Sequence, residues 1–172
     1  TPGIGERIAV TTWPSGVDKL FATREFILTA GDEQIAAGSS FWLLLDRARM
    51  RPLRVLESLP IPLPDNSGRE RVFTDLPKLP RRECSDPLPL TVTESQIDVN
   101  RHMNNARYIA RLFDWLSVRL GAAPVVSEIQ ANFLIGTAPE SVLTVSGSME
   151  NGVWYIEESV DSVPHFQAEV RL

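Results

Sequence analysis

One segment of the chain carries a strong helical pattern, and the remainder shows strand and turn signals. Between residues 105 and 120, apolar side chains recur at every fourth position and so share one face of a helix. These are Tyr108, Leu112, Leu116 and Leu120. Asn104 or Asn105 can cap the start of this helix, and Gly121 can end it. A single helix among several strands predicts an α+β fold in which an antiparallel sheet wraps around the helix.

Apolar runs rich in β-branched residues alternate with turn signals in both halves of the chain, which predicts antiparallel strands. In the first half they form a three-strand meander, whose first strand ends at Pro14-Ser15-Gly16. In the second half the strongest turn signal is Glu150-Asn151-Gly152, which predicts a hairpin. The expected strands cover residues 5–13, 20–29, 34–46, 88–93, 125–135, 141–149, 153–160 and 165–172.

A proline-rich stretch separates the two halves. Seven of the thirteen prolines lie between residues 59 and 89, where they remove ladder donors and favour extended backbone. We therefore expect a first domain over residues 1–58, a linker over 59–87 and a second domain over 88–172.

Composition narrows the class of protein. With 43% hydrophobic and 23% charged residues, the chain is typical of a globular protein. A net charge of −5 argues against a nucleic-acid binder, and no apolar run approaches the length of a membrane helix. The lone Cys84 excludes an intrachain disulfide and favours a cytoplasmic location. Because His102 and His165 form no zinc spacing with Cys84, no metal site is predicted.

Four arginines are concentrated within residues 46–54. They are Arg47, Arg49, Arg51 and Arg54. Such a cluster is either a solvated strand end or a docking surface for an acidic partner, and the pattern alone favours the solvated strand end.

The polar run from Asp98 to Asn105 carries the candidate chemistry. If residues 98–102 are extended, Asp98, Asn100 and His102 lie on one face, directly before the N-terminus of the predicted helix. Free amides and the helix dipole favour a developing oxyanion there. His102 can act as a general base or acid, while Asp98 can orient it and Asn100 can donate to a carbonyl, as acyl transfer or hydrolysis requires. The same residues also suit a plain turn and cap, and their spacing does not decide between the two.

The run from Asp98 to Ile109 resembles the D-x-N-x-H-x-N-N-x-x-Y signature of plant and bacterial acyl-acyl-carrier-protein (acyl-ACP) thioesterases. Shorter forms of this motif also occur in the wider group of hotdog acyl-CoA thioesterases. Four short segments of the first half are similar to the first domain of the acyl-ACP family and favour it over the acyl-CoA enzymes. They are Thr12-Trp13-Pro14, Arg24-Glu25-Phe26, Ser40-Phe41-Trp42 and Arg51-Pro52-Leu53-Arg54.

This resemblance implies two hotdog domains, each an antiparallel sheet wrapped on a helix, and a cytoplasmic thioester hydrolase of fatty acid biosynthesis that releases the acyl chain from acyl carrier protein (ACP). Asp98, Asn100 and His102 take the catalytic positions, with no metal or cofactor required. The acidic carrier would dock at the arginine cluster. We expect the thioester carbonyl to contact the amides that follow the catalytic residues, those of Met103, Asn104 and Asn105.

One position departs from the family pattern. The family has a glutamate three residues after an aromatic residue, and the matching position after Phe133 is Gly136. Another group, such as His102 itself, Glu128 or Glu140, must then activate water, or the protein is slow or inactive. The alternative functions are therefore an acyl-CoA thioesterase and a non-catalytic acyl- or carrier-binding module.

By the same resemblance, the first domain lacks its N-terminal strand and helix. Three strands with an uncovered apolar face are not expected to be stable alone. We therefore expect further chain before Thr1, or a partner chain over that face. Paired domains within one chain, or a homodimer, can supply the second sheet of a hotdog pair.

Overall fold

The computed structural model describes residues 2–46, 48–49, 51–75 and 77–172. The chain divides into two compact units, Thr1–Pro77 and Lys78–Leu172. Antiparallel strands dominate both units and helices are few, so the predicted α+β class is confirmed.

The first unit contains the expected three-strand meander. Its strands are β1 (Ile8–Asp18), β2 (Phe21–Ala30) and β3 (Glu33–Leu43), in the order β1-β2-β3. The expected stop at Pro14 is wrong, since β1 continues to Asp18. Because β1 is an edge strand of this sheet, it tolerates a residue without an N–H, and the register shift between Pro14 and Gly16 forms a bulge. A short hairpin, β4 (Leu45–Asp46) with β5 (Arg51–Pro52), and one helical turn, α1 (Val55–Ser58), follow.

Part of the proline-rich stretch lies on this sheet. Asn66 Nδ2 donates to the Pro14 carbonyl at 2.8 Å, and the Val72 amide donates to a carboxylate oxygen of Glu25 at 3.1 Å. Glu25 is fully buried. These contacts make residues 66–72 a packed part of the first unit.

The second unit is a five-stranded antiparallel sheet in the order β6-β8-β9-β10-β7. Its strands are β6 (Ser85–Thr91), β7 (Glu128–Phe133), β8 (Val142–Glu150), β9 (Val153–Val160) and β10 (Val163–Arg171). All five overlap the strands expected for this half. The first of them begins at Ser85, so the last three residues of the expected linker are strand.

The predicted hairpin between β8 and β9 is confirmed. Asn151 and Gly152 both have positive φ, 51° and 78°, as the two central residues of a type I′ turn require.

The predicted helix is confirmed as α2 (Asn105–Leu120). Asn104 caps it, since its side chain accepts from the Ala106 amide at 2.9 Å, and Gly121 ends it with φ 67°. Leu112 and Leu116 are fully buried in the core formed with the sheet. No helix in the described ranges combines the length and hydrophobicity needed to cross a bilayer.

Candidate active site

Residues 97–103 form a tight loop whose ends are joined by an isolated β-bridge. The Asp98 amide donates to the His102 carbonyl at 2.9 Å, and the Arg101 amide donates to the Asp98 carbonyl at 3.0 Å. Arg101 lies in the left-handed region, with φ 63°. The extended conformation considered for residues 98–102 is therefore wrong, because they form a turn.

The Asp98 side chain gives a physical reason for the turn. One of its carboxylate oxygens accepts from the Asn100 amide at 2.8 Å, an Asx turn that competes with extended backbone. Asp98 is half-buried, whereas Asn100 and His102 are exposed. Among the described residues no carboxylate hydrogen-bonds to the His102 ring, so a role for Asp98 in setting the His102 tautomer stays a prediction.

The backbone amides expected to bind the thioester carbonyl are largely in use. The Met103 amide donates to the Thr137 carbonyl at 2.8 Å, and the Asn104 amide donates to the Gln96 carbonyl at 2.9 Å. The Met103 side chain is also buried, with 2% of its surface exposed. The expectation for these two amides is corrected, because the fold already satisfies them. Asn105, the first residue of α2, has no acceptor for its amide within its own helix.

The ring of His102 lies directly against Gly136, where the family pattern has a glutamate. A Cβ built on Gly136 would lie 2.6 Å from Cγ, 2.8 Å from Nδ1 and 2.9 Å from Cδ2 of His102. Contacts this short essentially never occur for a real Cβ. A side chain at position 136 and the His102 ring in this position therefore exclude each other.

The two other carboxylates that could activate water, Glu128 and Glu140, lie in different parts of the second unit. Glu128 begins β7 and lies 3.5 Å from Arg171 Nε. From Glu128 to Phe133 the strand rises about 17 Å before the chain reaches Gly136. Glu128 is therefore remote from His102, whereas the exposed Glu140 lies in the turn before β8.

A hydrogen-bonded triad that the sequence reasoning missed lies beside Gly136. Thr137 Oγ1 is 2.7 Å from Tyr108 Oη and 2.7 Å from His165 Nδ1. The Thr137 amide donates to Tyr108 Oη at 3.1 Å, and its carbonyl accepts from Met103. Thr137, which is fully buried, thus connects the loop to α2 and β10. No sequence spacing relates the three residues, because their contact depends on tertiary packing.

His165 is the extra residue of a bulge in β10. The register of β10 against β9 shifts between Pro164 and Phe166, and the His165 carbonyl accepts from the Leu134 and Ile135 amides at 2.8 and 3.2 Å. A bulge of this kind re-aims a side chain, and bulges are common beside active sites.

Burial shifts the pKa values of two members of the triad. It lowers the pKa of His165, so the imidazole is neutral at physiological pH. It raises the pKa of the Tyr108 phenol, which therefore keeps its proton. Both side chains act as neutral hydrogen-bonding groups.

A buried arginine on α2 binds the residues that precede the loop. Arg111 Nη2 donates to Gln96 Oε1 at 2.7 Å and to the Thr91 carbonyl at 3.2 Å, and Gln96 ends the 3₁₀ turn that precedes the loop.

On β9, Glu158 is fully buried, and neither of its oxygens has a partner among the described residues. Burial raises the pKa of this carboxyl well above its ordinary value, although the nearby Arg111 acts against the shift.

The arginine cluster is described only in part. Arg47 lies outside the described residues. Arg49, Arg51 and Arg54 are exposed, and Arg54 forms a surface ion pair with Glu57 at 3.1 Å. Within the described part of the chain, no group of three or more His, Cys, Asp or Glu residues is placed to hold a metal ion.

Three solved structures with a similar fold are described as thioesterases. An acyl-ACP thioesterase from Bacteroides thetaiotaomicron matches with a TM-score of 0.73 and 21% identity, over 96% of this chain and 68% of that one. A putative oleoyl thioesterase from Lactobacillus plantarum matches with a TM-score of 0.76 and 23% identity, over 96% and 68%. The 12:0-ACP thioesterase from Umbellularia californica matches with a TM-score of 0.77 and 16% identity, over 99% and 69%. The fold is therefore that of the hotdog thioesterases.

Two family models match consecutive parts of the chain. Residues 1–62 match the acyl-ACP thioesterase N-terminal domain, and residues 81–163 match the acyl-ACP thioesterase C-terminal domain. The chain belongs to the acyl-ACP thioesterase family and is a thioester hydrolase. A comparison with curated proteins gives no significant match.

Proposed function

We propose that the chain hydrolyses the thioester of fatty acyl-ACP and releases a free fatty acid, which ends chain growth in fatty acid biosynthesis. The match of both halves, in order, to the two domains of the family is the observation that supports this carrier. The similar proteins from Bacteroides thetaiotaomicron and Umbellularia californica are described as an acyl-ACP and a 12:0-ACP thioesterase.

The reaction is assigned to the loop before α2. His102 accepts a proton from the attacking water, whose oxygen bonds to the thioester carbonyl carbon. The C–S bond then breaks, and His102 returns the proton to the departing thiolate. General base catalysis of this kind contributes about 10²–10⁴-fold.

Asn100 and Asp98 assist in different ways. Asn100, exposed on the loop, donates from its side-chain amide to the substrate. Asp98 holds the turn through its bond to the Asn100 amide and so fixes both Asn100 and His102. Because Gly136 supplies no carboxylate, His102 is itself the base.

The carrier docks through the exposed arginines Arg49, Arg51 and Arg54. ACP is acidic, and this chain has a net charge of −5, so long-range repulsion must be offset by a local positive surface. The docking role is a prediction of charge complementarity.

A comparison of carriers tests the proposal. One acyl group is presented on ACP and on coenzyme A, and kcat/KM is measured for each. We expect a clear preference for ACP, and a preference for coenzyme A would assign the chain to the acyl-CoA thioesterases instead.

Charge reversal tests the docking surface in the same assay. The double variant Arg49→Glu and Arg51→Glu should lower kcat/KM for acyl-ACP about tenfold, as expected when electrostatic steering is lost, and change the acyl-CoA value much less. The double variant Arg7→Glu and Lys19→Glu, which reverses two other exposed basic residues of the first unit, is the matched control. Equal effects of the double variant and the control would exclude this docking surface.

A further inference from the structure

Two of the three backbone amides expected to bind the oxyanion are already in use, which leaves the Asn105 amide and the Asn100 side chain as donors from the loop and the start of α2. The Met103 and Asn104 amides are paired with backbone carbonyls, and no side chain extends from Gly136. A single donor of this kind typically contributes about 10²–10³-fold to kcat. A further donor close to the loop would add to the stabilisation of the oxyanion.

His165 reaches the loop through Thr137. Gly136 and Thr137 are consecutive residues: the His102 ring packs against the first, and His165 Nδ1 hydrogen-bonds to the hydroxyl of the second. The Thr137 carbonyl in turn accepts from Met103, the residue that follows His102. The two histidines of the chain thus flank one dipeptide at the end of the loop.

The hydrogen bonds around Thr137 favour one tautomer of His165, because only that tautomer gives the Thr137 hydroxyl proton an acceptor. The Tyr108 oxygen accepts from the Thr137 amide, and its own proton goes to Thr137 Oγ1, which is the shorter of its two possible contacts (2.7 Å, against 3.4 Å to the Ile135 carbonyl). The Thr137 hydroxyl proton is then free to bond to His165 Nδ1. In a neutral imidazole, an accepting Nδ1 leaves the proton on Nε2.

The Nε2–H of His165 is available to a ligand. His165 is half-buried, and no described residue hydrogen-bonds to its Nε2. The bulge in β10 sets the side chain apart from the regular alternation of the strand. Because burial keeps the ring neutral, Nε2 acts as a donor.

We propose that His165 is a catalytic residue that donates from Nε2–H to the thioester carbonyl oxygen, with Thr137 and Tyr108 as the positioning residues that hold its tautomer. The assignment rests on the reaction proposed for the loop. As water adds, the carbonyl electron pair moves to oxygen and is stabilised by this hydrogen bond. When the C–S bond breaks, the electron pair returns to the carbonyl and His165 is unchanged. His102 alone carries the proton from water to the thiolate.

Variants at position 165 separate this role from a merely structural one. Glutamine can place an amide N–H close to the position of Nε2, whereas alanine cannot. We expect His165→Ala to lower kcat about 10²–10³-fold with little change in KM, and His165→Gln to recover at least tenfold of that loss. Val163→Ala, at an exposed position of the same strand, is the control and should keep the native kcat. Native kcat in His165→Ala, or equal losses in the alanine and glutamine variants, would overturn the proposal.

The tautomer is tested without turnover. In ¹⁵N-detected NMR of the native protein, His165 should be neutral with the proton on Nε2, and Thr137→Val should remove this preference. A proton on Nδ1 of native His165 would contradict the proposal whatever the activity.

The assays are run on both acyl-ACP and acyl-CoA, so the two proposals can fail separately. A preference for acyl-CoA over acyl-ACP would reject the proposed carrier. The position 165 variants would then be compared with native protein on acyl-CoA, and their kcat values would still decide the role of His165.

Discussion

The position of the His102 ring depends on the absence of a side chain at Gly136. The family pattern has a glutamate at the glycine position, and here the missing side chain gives the imidazole room to lie against the backbone. The departure from the family pattern is therefore coupled to the placement of the proposed base.

The coupling predicts the effect of a single methyl group. Gly136→Ala must displace the His102 ring, and a displacement of about 1 Å at a reacting group can lower kcat about 10²-fold. The free energy of unfolding should change little, because the exposed His102 can rotate away. Steady-state hydrolysis and urea unfolding measure the two effects.

A second glycine provides the control for this substitution. At Gly68 an added Cβ would meet nothing within 4 Å, so Gly68→Ala should keep the native kcat. A Gly136→Ala enzyme with native kcat would show that His102 does not act from this position.

Glu158 should make stability depend on pH. Burial raises the pKa of this carboxyl well above the ordinary value of 4.5, so the folded protein keeps a proton that the unfolded chain loses. Unfolding then releases a proton, and the contribution of Glu158 to stability falls as pH rises above 4.5. In urea unfolding between about pH 5 and 8, native protein should lose stability relative to Glu158→Gln as pH increases.

The exposed Glu33 is the control for that series. Glu33→Gln should follow the native pH dependence. If the native and Glu158→Gln curves run parallel across the range, Glu158 is ionised in the folded protein and the interpretation of its burial is wrong.

Individual site residues differed in how far the sequence could reveal them. Asp98, Asn100 and His102 lie within one short motif, so the sequence alone shows that they are close to one another. Thr137 and His165 lie on separate segments and meet only after β10 has paired and bulged. No spacing in the sequence encodes that contact.

At the scale of elements, local signals predicted α2 and the β8–β9 hairpin well. The helix has a cap, an apolar stripe and a terminal glycine, and the hairpin has the turn residues that its φ values require. The errors arose where a side chain or a neighbouring strand decided the conformation. The Asp98 carboxylate turns the loop at 98–102, and the edge position of β1 lets it continue through Pro14.

The buried stripe of α2 predicts how the helix contributes to stability. Leu112 is fully buried in the core, and Leu112→Ala should lower the free energy of unfolding by about 3 kcal/mol through lost burial and a residual cavity. Val118 on the same helix is 70% exposed, so Val118→Ala should change it by less than about 0.5 kcal/mol. If urea unfolding gave the same loss of unfolding free energy for Leu112→Ala and Val118→Ala, the helix would not pack as described.

At the scale of the whole molecule, family membership could be predicted because its motifs occur in both halves, and the two family models confirm it. The carrier could not be decided in the same way. Recognition of a protein surface depends on how charges are arranged in space, and composition gives only the net value of −5.

The central claim is that this thioester hydrolase acts through His102, and one measurement tests it most directly. The rate of single-turnover hydrolysis of acyl-ACP is measured for the native protein and for His102→Ala. Because His102 is exposed, the substitution should leave the fold intact, and circular dichroism of the variant checks this. The account predicts that the rate falls by about 10²–10⁴-fold, the contribution of a general base. A rate in His102→Ala equal to that of the native protein would contradict it.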